Sequence, residues 1–153
     1  MEQNLHMSFE SGCFTVRAIA LVIHNRCLLA AKSEKHDCYY TVGGGVHYNE
    51  TSAAAALREL REETDFCAEN DRLVFVQERF FEHDGKKHHE IAFFHLIKES
   101  DFPFKNGMTT DAPGERLYWL PIDELPQVNL VPAFLRTSLQ NIPESPVYII
   151  SYE

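Results

Sequence analysis

The spacing of apolar and polar positions changes period several times along the chain. "TVRAIALVI" (15 to 23) and "RCLLAAK" (26 to 32) are apolar, partly β-branched runs on either side of His24-Asn25, a two-residue turn signal, and they predict a hairpin. "YYTV" (39 to 42) predicts a short strand feeding three consecutive glycines. "RLVFVQERFFE" (72 to 82) and "HHEIAFFHLI" (88 to 97) flank "HDGKK", whose Asp84-Gly85 pair marks a second hairpin. "RLYWL" predicts one more strand, "PIDELP" a helical turn, and "LVPAFLRTSLQN" (130 to 141) a helix with Pro132 near its start. The run "VYIISYE" fits either an edge strand or a tail folded back on the domain, and residues 1 to 12 are predicted to form a flexible tail.

Between the two hairpins the period becomes helical. Ala53, Ala56, Leu57, Leu60 and Thr64 follow i, i+3, i+4, i+7, i+11 spacing and form a mostly apolar stripe that would pack on a sheet. Glu59, Glu62 and Glu63 stand at i, i+3 and i+4, so their carboxylates gather on the other side within an arc of about 100°. Strands before and after a central helix, with a second helix late in the chain, predict an α/β domain with a mixed sheet. At 153 residues one domain is expected. "DFPFKNGMTTDAPGE" (101 to 115) collects Pro, Gly, Asn and Asp and reads as a surface loop long enough to serve as a lid or specificity loop.

Composition narrows the function. An apolar share of 44% with 24% charged residues is that of a globular protein, and no apolar run is long enough to span a bilayer, so no membrane partner is expected. The N-terminus lacks a secretory pattern, and Cys13, Cys27, Cys38 and Cys67 form no CxxC pair, which predicts reduced thiols in the cytoplasm. A formal charge of −9 argues against a nucleic acid backbone as partner. A phosphorylated small molecule remains accessible to an acidic protein when a divalent cation mediates.

Two readings of the acidic helix compete: a solvated face and a cation site. Like charges at these spacings cost about 0.2 to 0.5 kcal/mol per pair on an isolated helix. Arg58 and Arg61 offset part of that, and Arg58 lies four residues before Glu62 and eight after Glu50. Gly43, Gly44 and Gly45 precede the helix, and backbone without Cβ atoms can take positive φ and approach a ligand closely. A P-loop is excluded, because the Lys and following Ser/Thr of GxxxxGK[ST] are absent. Three helical glutamates beside bare backbone suit Mg²⁺, a hard cation that takes carboxylates, waters and substrate phosphates.

In register, Gly44, Glu50, Arg58, Glu59, Leu60, Glu62, Glu63, Asp65 and Phe66 follow G-x5-E-x7-R-E-U-x-E-E-x-G-U, where U is apolar. This closely resembles the box of the Nudix hydrolases, with Asp65 in place of the last glycine. Asp is among the few residues that tolerate a left-handed helix C-terminus, so the departure changes a cap rather than the chemistry. The resemblance implies an α/β/α sandwich that hydrolyses a nucleoside diphosphate linked to another moiety, with Mg²⁺ or Mn²⁺. By position it implies Glu59 and Glu63 as main metal ligands, Glu62 as a further ligand or base, the Gly43 carbonyl as a backbone ligand, and Glu50 and Arg58 as braces of the loop.

In this family the base can also lie outside the box, which brings in Glu90, with Glu82 and His83 as alternatives. His88 and His89 do not make a zinc pair, since neighbours on a strand point to opposite faces. Gly44 and Gly45, with Arg17 and Arg79 as phosphate contacts and Tyr39, Tyr40 or Phe81 as stacking partners, complete the substrate candidates; ordinary strand packing is the competing reading of those side chains. The Pro or Tyr that marks some subfamilies beyond the box is absent, Phe81, Glu82, His83 and Asp84 filling that window. A non-catalytic nucleotide-binding sensor on the same fold is the second reading, though no box glutamate is lost. A homodimer is among the assemblies open to the chain.

Overall fold

A computed structural model describes residues 3–153. The chain runs through β1 (His6–Phe9), β2 (Gly12–Leu21), β3 (Ile23–His24), β4 (Cys27–Ser33), β5 (Tyr39–Gly45), α1 (Ser52–Thr64), β6 (Asn70–His83), β7 (Lys86–Ile97), β8 (Glu115–Pro121), a 3₁₀ helix (Ile122–Gln127), β9 (Leu130–Val131), α2 (Leu135–Ser138) and β10 (Val147–Tyr152). The strands make one ten-stranded mixed sheet ordered β10-β6-β7-β2-β5-β4-β3, with β1 against β2, β8 against β4 and β9 against β5.

Strand β2 organises both layers through the period-two alternation of its side chains. Ala18, Ala20 and Val22 share one buried cluster with Ala55, Ala56 and Leu60 of α1. Ile19 and Leu21 point the other way, into a cluster with Phe94 of β7, Leu125 of the 3₁₀ helix, and Leu135 and Leu139 at α2. Small side chains let α1 lie close to the sheet, and large ones fill the wider gap under the irregular second layer. The expected α/β class and mixed sheet are therefore present, with helical segments on both faces. Among the described residues no helix is long and apolar enough to cross a membrane.

Several boundaries differ from the sequence reading. Residues 6–9 of the expected tail form β1, in antiparallel register His6↔Thr15 to Phe9↔Gly12, and Asn4 bridges to His47; residues 1 and 2 lie outside the described residues. The first hairpin is also redrawn. β2 pairs with β7 and β5, and only the two-residue β3 turns back on β4 through Asn25 and Arg26, both at positive φ. The helix expected over 130–141 shrinks to α2 because Leu130 and Val131 pair in parallel with Tyr39 and Tyr40. The second hairpin does turn at Asp84-Gly85, both left-handed, with His83 opposite Lys86. "VYIISYE" resolves as an edge strand, parallel to β6.

The box helix is capped at both ends. The Thr51 hydroxyl accepts from the Ala54 N–H at 3.1 Å, and Asp65 adopts φ 58°, ψ 21°, its N–H donating to the Arg61 carbonyl at 2.7 Å. Ser52 Oγ and His95 Nε2 lie 2.9 Å apart, tethering the helix start to β7. Ala55 rather than Ala53 completes the buried stripe with Ala56 and Leu60.

Candidate active site

The three glycines are strand residues. Gly43, Gly44 and Gly45 lie in β5 opposite Ile19, Ala18 and Arg17, and none takes a positive φ. Their lack of side chains serves close packing. A Cβ on Gly44 would sit 2.3–2.5 Å from the carboxylate atoms of Glu59, so that side chain rests directly on bare backbone. A Cβ on Gly43 would meet the Ala18 carbonyl oxygen at 2.4 Å.

Arg58 is the centre of the acidic cluster. Its Nε donates to Glu50 Oε1 at 2.8 Å and its Nη2 to Glu50 Oε2 at 3.0 Å, a two-point grip that the Arg fork and a carboxylate share geometrically. Nη1 donates to Glu59 Oε1 at 2.8 Å and reaches Glu62 Oε2 at 3.4 Å, while Nη2 also donates to the Gly45 carbonyl at 2.9 Å. Glu50 takes a further bond from the His47 N–H at 2.9 Å. The hydrogen bonds from Arg58 hold the Glu50 carboxyl below its ordinary value and push the Arg58 guanidinium up. One half-buried arginine thus links the strand end, the loop after it and three carboxylates.

Glu63 lies outside that grip, and its carboxyl is pushed up to about 8. Burial is the largest cause, followed by the charges of Glu115 and Glu59 and, more weakly, Asp111; a hydrogen bond from the Gly43 N–H opposes them. Glu115 and Asp111 come from the loop and strand that follow β7. The Asp111 N–H donates to the Glu63 carbonyl at 3.3 Å, and Glu115 accepts from the Tyr40 hydroxyl and from Thr110 Oγ1, the latter at 2.7 Å. Burial, aided by Glu115, raises the Tyr40 phenol.

The sequence candidates divide between the two sheet faces. Glu50, Arg58, Glu59, Glu62, Glu63 and Gly43 to Gly45 come together on the α1 side. Glu90 shares the parity of Ala92 and Phe94 on β7, so it lies on the face turned away from α1, with Arg79 Nη1 at 4.0 Å. Arg79 is already engaged there: its Nε pairs with Glu153 and its guanidinium lies 4.2 Å from the Phe81 ring, which stacks on His88. Arg17 is on that same face, yet its Nη2 reaches the Gly43 carbonyl at 3.4 Å. Gly43 is where the faces meet, its N–H toward Glu63 and its carbonyl toward Arg17. Tyr39 is occupied by an edge contact with Tyr118, and Tyr40 by Glu115. The sequence reading missed Glu115 and Asp111; the acidic positions of "TDAPGE" were the available signal, but only the chain path brings them to Glu63.

This donor set is all oxygen. Among the described residues no group of three or more His, Cys, Asp or Glu side chains is gathered tightly enough to hold an ion alone. Mg²⁺ commonly takes one or two carboxylates and completes its shell with water and substrate, so the Glu59 and Glu63 carboxylates and the Gly43 carbonyl fit such an open site.

The NUDIX domain family model matches residues 14–141. The chain belongs to this family. It is a Nudix hydrolase, a pyrophosphohydrolase by class. Solved structures agree on the fold. A MutT NUDIX hydrolase from Burkholderia pseudomallei is 25% identical, with a TM-score of 0.64 over 85% of this chain and 98% of that one. The mutator MutT protein from Bacillus halodurans is 16% identical, with a TM-score of 0.66 over 90% of each chain. An ADP-ribose pyrophosphatase from Streptococcus suis is 12% identical, with a TM-score of 0.55 over 91% of this chain and 98% of that one. No curated protein sequence matches. Strands β1 and β10 lie outside the matched region of this Nudix chain.

Proposed function

We propose that this Nudix hydrolase uses Mg²⁺ or Mn²⁺ to cleave the diphosphate linkage of a nucleoside diphosphate joined to another moiety, such as a nucleotide, a nucleotide-sugar or an NTP-type substrate. The observation that carries the reading is Glu63: its carboxyl, largely buried and crowded by Glu59, Glu115 and Asp111, has no ion pair with Lys, Arg or His among the described residues. Among the similar solved structures are a UDP-X diphosphatase and an ADP-ribose pyrophosphatase.

Glu59 and Glu63 would hold the cation with the Gly43 carbonyl. When bound, a divalent ion supplies Lewis-acid stabilisation of charge on the phosphoryl oxygens. Arg58 fixes Glu59 by one carboxylate oxygen and leaves the other available. Glu62, about half exposed and held only at 3.4–3.5 Å by Arg58, has the freedom to take a proton from the attacking water. Arg17, whose Nη2 reaches the Gly43 carbonyl at 3.4 Å, would take a phosphate oxygen, and Gly44 and Gly45 would serve the substrate indirectly, by giving room to the side chains of Glu59 and Asn4. Glu90, Arg79 and Phe81 would line the opposite side of the sheet, outside the carboxylate cluster.

The test is hydrolysis of a panel of dinucleotides, nucleotide-sugars and NTPs by the purified protein with Mg²⁺ or Mn²⁺, reading released nucleoside monophosphate and phosphate. Turnover that Glu63→Gln abolishes while the fold persists is the expected result. A folded wild type that turns over none of the panel, or Glu63→Gln with near-normal activity, overturns it.

A further inference from the structure

The outer edge of β10 has no strand partner among the described residues, and nothing in its sequence protects it. Exposed sheet edges are ordinarily blunted by Lys, Pro or a bulge, because their free N–H and C=O groups template pairing with another chain. Val147 to Tyr152 contains no charged residue and no proline, and its register with β6 runs without a shift from Val147↔Phe75 to Tyr152↔Phe80. One face of the strand presents Tyr148, Ile150 and Tyr152, which are 60%, 50% and 79% exposed. An edge this regular and apolar is built for pairing.

The strand is also complementary to itself. In an antiparallel pair made by a two-fold axis normal to the sheet, residues directly opposite share a face, so even positions meet even positions. Centring the axis on Ile150 sets Ile150 against its own copy, Tyr148 against Tyr152 of the second copy, and Ile149 against Ser151. No charged side chain opposes a like charge, since Glu153 falls opposite Val147 and is already paired with Arg79 within its own chain. The register also prolongs a row that exists in each chain. Met7, Phe14, His89, Phe80 and Tyr152 are successive cross-strand partners, with Tyr152 stacked on Phe80 at 5.2 Å and Phe80 on His89 at 4.3 Å. Tyr148 of a second copy would continue that row. Cross-strand aromatic and β-branched pairs of this kind are the stabilising unit of a sheet.

We infer that β10 is the interface of a homodimer in which two copies pair edge to edge, antiparallel about Ile150, joining their sheets into one. The partner is a second copy rather than an unrelated strand because the side chains on this edge match themselves in one register. Both β10 and β1 lie outside residues 14–141, the span the family model matches.

The experiment uses the full chain in a Cys67→Ser background, which removes the exposed thiol. Sedimentation at about 100 µM, a concentration suited to an interface at the small end of the usual range, should give twice the monomer mass. Ile150→Lys should halve the mass, because it sets two ammonium groups against each other; if it fails to fold, Ile150→Thr should shift the dimer to several-fold higher concentration. Ile150→Cys should form an intermolecular disulfide under mild oxidation, and Val147→Cys should not. A wild type monomeric at that concentration overturns the inference. So does a dimer unaffected by both Ile150 variants, or one that crosslinks equally through Val147→Cys.

Discussion

Arg58 holds Glu50 by two parallel hydrogen bonds across eight residues of sequence, Nε to Oε1 at 2.8 Å and Nη2 to Oε2 at 3.0 Å. The same guanidinium reaches the Gly45 carbonyl and Glu59, so the loop between β5 and α1 and the helix itself are set by one side chain. Lys cannot reproduce a planar fork. Arg58→Lys should lose about 3 kcal/mol of stability, the scale for breaking a largely buried ion pair, and about tenfold or more in Mn²⁺ affinity through misplacement of Glu59. Urea denaturation and metal titration measure the two; unchanged metal affinity in a folded variant would remove Arg58 from the positioning role.

Glu63 gives a pH dependence with a definite sign. In the metal-free protein the folded state keeps its proton up to about pH 8, whereas the unfolded chain gives it up near the ordinary value of 4.5. The folded state therefore binds more protons in that window, and stability falls as pH rises through it. His95 contributes the opposite slope, since burial disfavours its charged form and the unfolded chain protonates first as pH falls. Subtracting the melting curve of Glu63→Gln isolates the first effect. The difference should grow from pH 4.5 to about 8, and Mn²⁺ affinity should rise over the same range because binding releases the proton. A flat difference would contradict the assignment.

Glu115 should tune that transition without being one of the box residues. Its charge is the second cause of the raised Glu63 carboxyl after burial. Glu115→Gln should move the pH midpoint of Mn²⁺ binding downward, and Tyr40→Phe, which deletes the hydroxyl bonded to Glu115, should move it less. A midpoint that Glu115→Gln leaves in place would remove Glu115 from the causes and leave burial and the Glu59 and Asp111 charges.

Gly44→Ala addresses the contact between strand and helix. A methyl group there meets the Glu59 carboxylate at 2.3–2.5 Å, and that flexible end can swing aside. The variant should stay folded and lose metal affinity, which calorimetric titration with Mn²⁺ would record. Wild-type affinity would mean that Glu59 need not rest on Gly44.

Asp65 supplies a control at the end of the box. It occupies a left-handed cap that glycine adopts without steric cost. Asp65→Gly should stabilise the protein by up to about 1 kcal/mol and leave turnover unchanged, as read by urea denaturation and kinetics. A loss of activity would give Asp65 a chemical role.

The box was legible because helical spacing depends only on neighbours in sequence: Glu59, Glu62, Glu63 and their apolar stripe follow from a period of 3.6. What involved distant partners was less so. Three glycines suggested a loop with positive φ, whereas each is a strand residue whose missing side chain makes room for a neighbour, Ala18 at Gly43, Glu59 at Gly44 and Asn4 at Gly45. Residues 130–141 carried a helical pattern, but pairing of Leu130 and Val131 with β5 took the first turn away. The N-terminal tail had the composition of one and became β1 because β2 offered it an edge. Glu115 is separated from Glu63 by two long strands and a loop, so no local pattern could join them.

The division of labour along β2 makes that strand intolerant of a change in length. Deleting or inserting one residue between Gly12 and Ala18 would exchange its two linings, setting Ile19 and Leu21 under α1 where Ala18 and Ala20 now sit. The helix would be lifted from the sheet and its glutamates carried away from Gly44. Variation in chain length among descendants of this protein should therefore accumulate in the turns at residues 10–11, 25–26 and 84–85, while β2 keeps its residue count even where its sequence drifts.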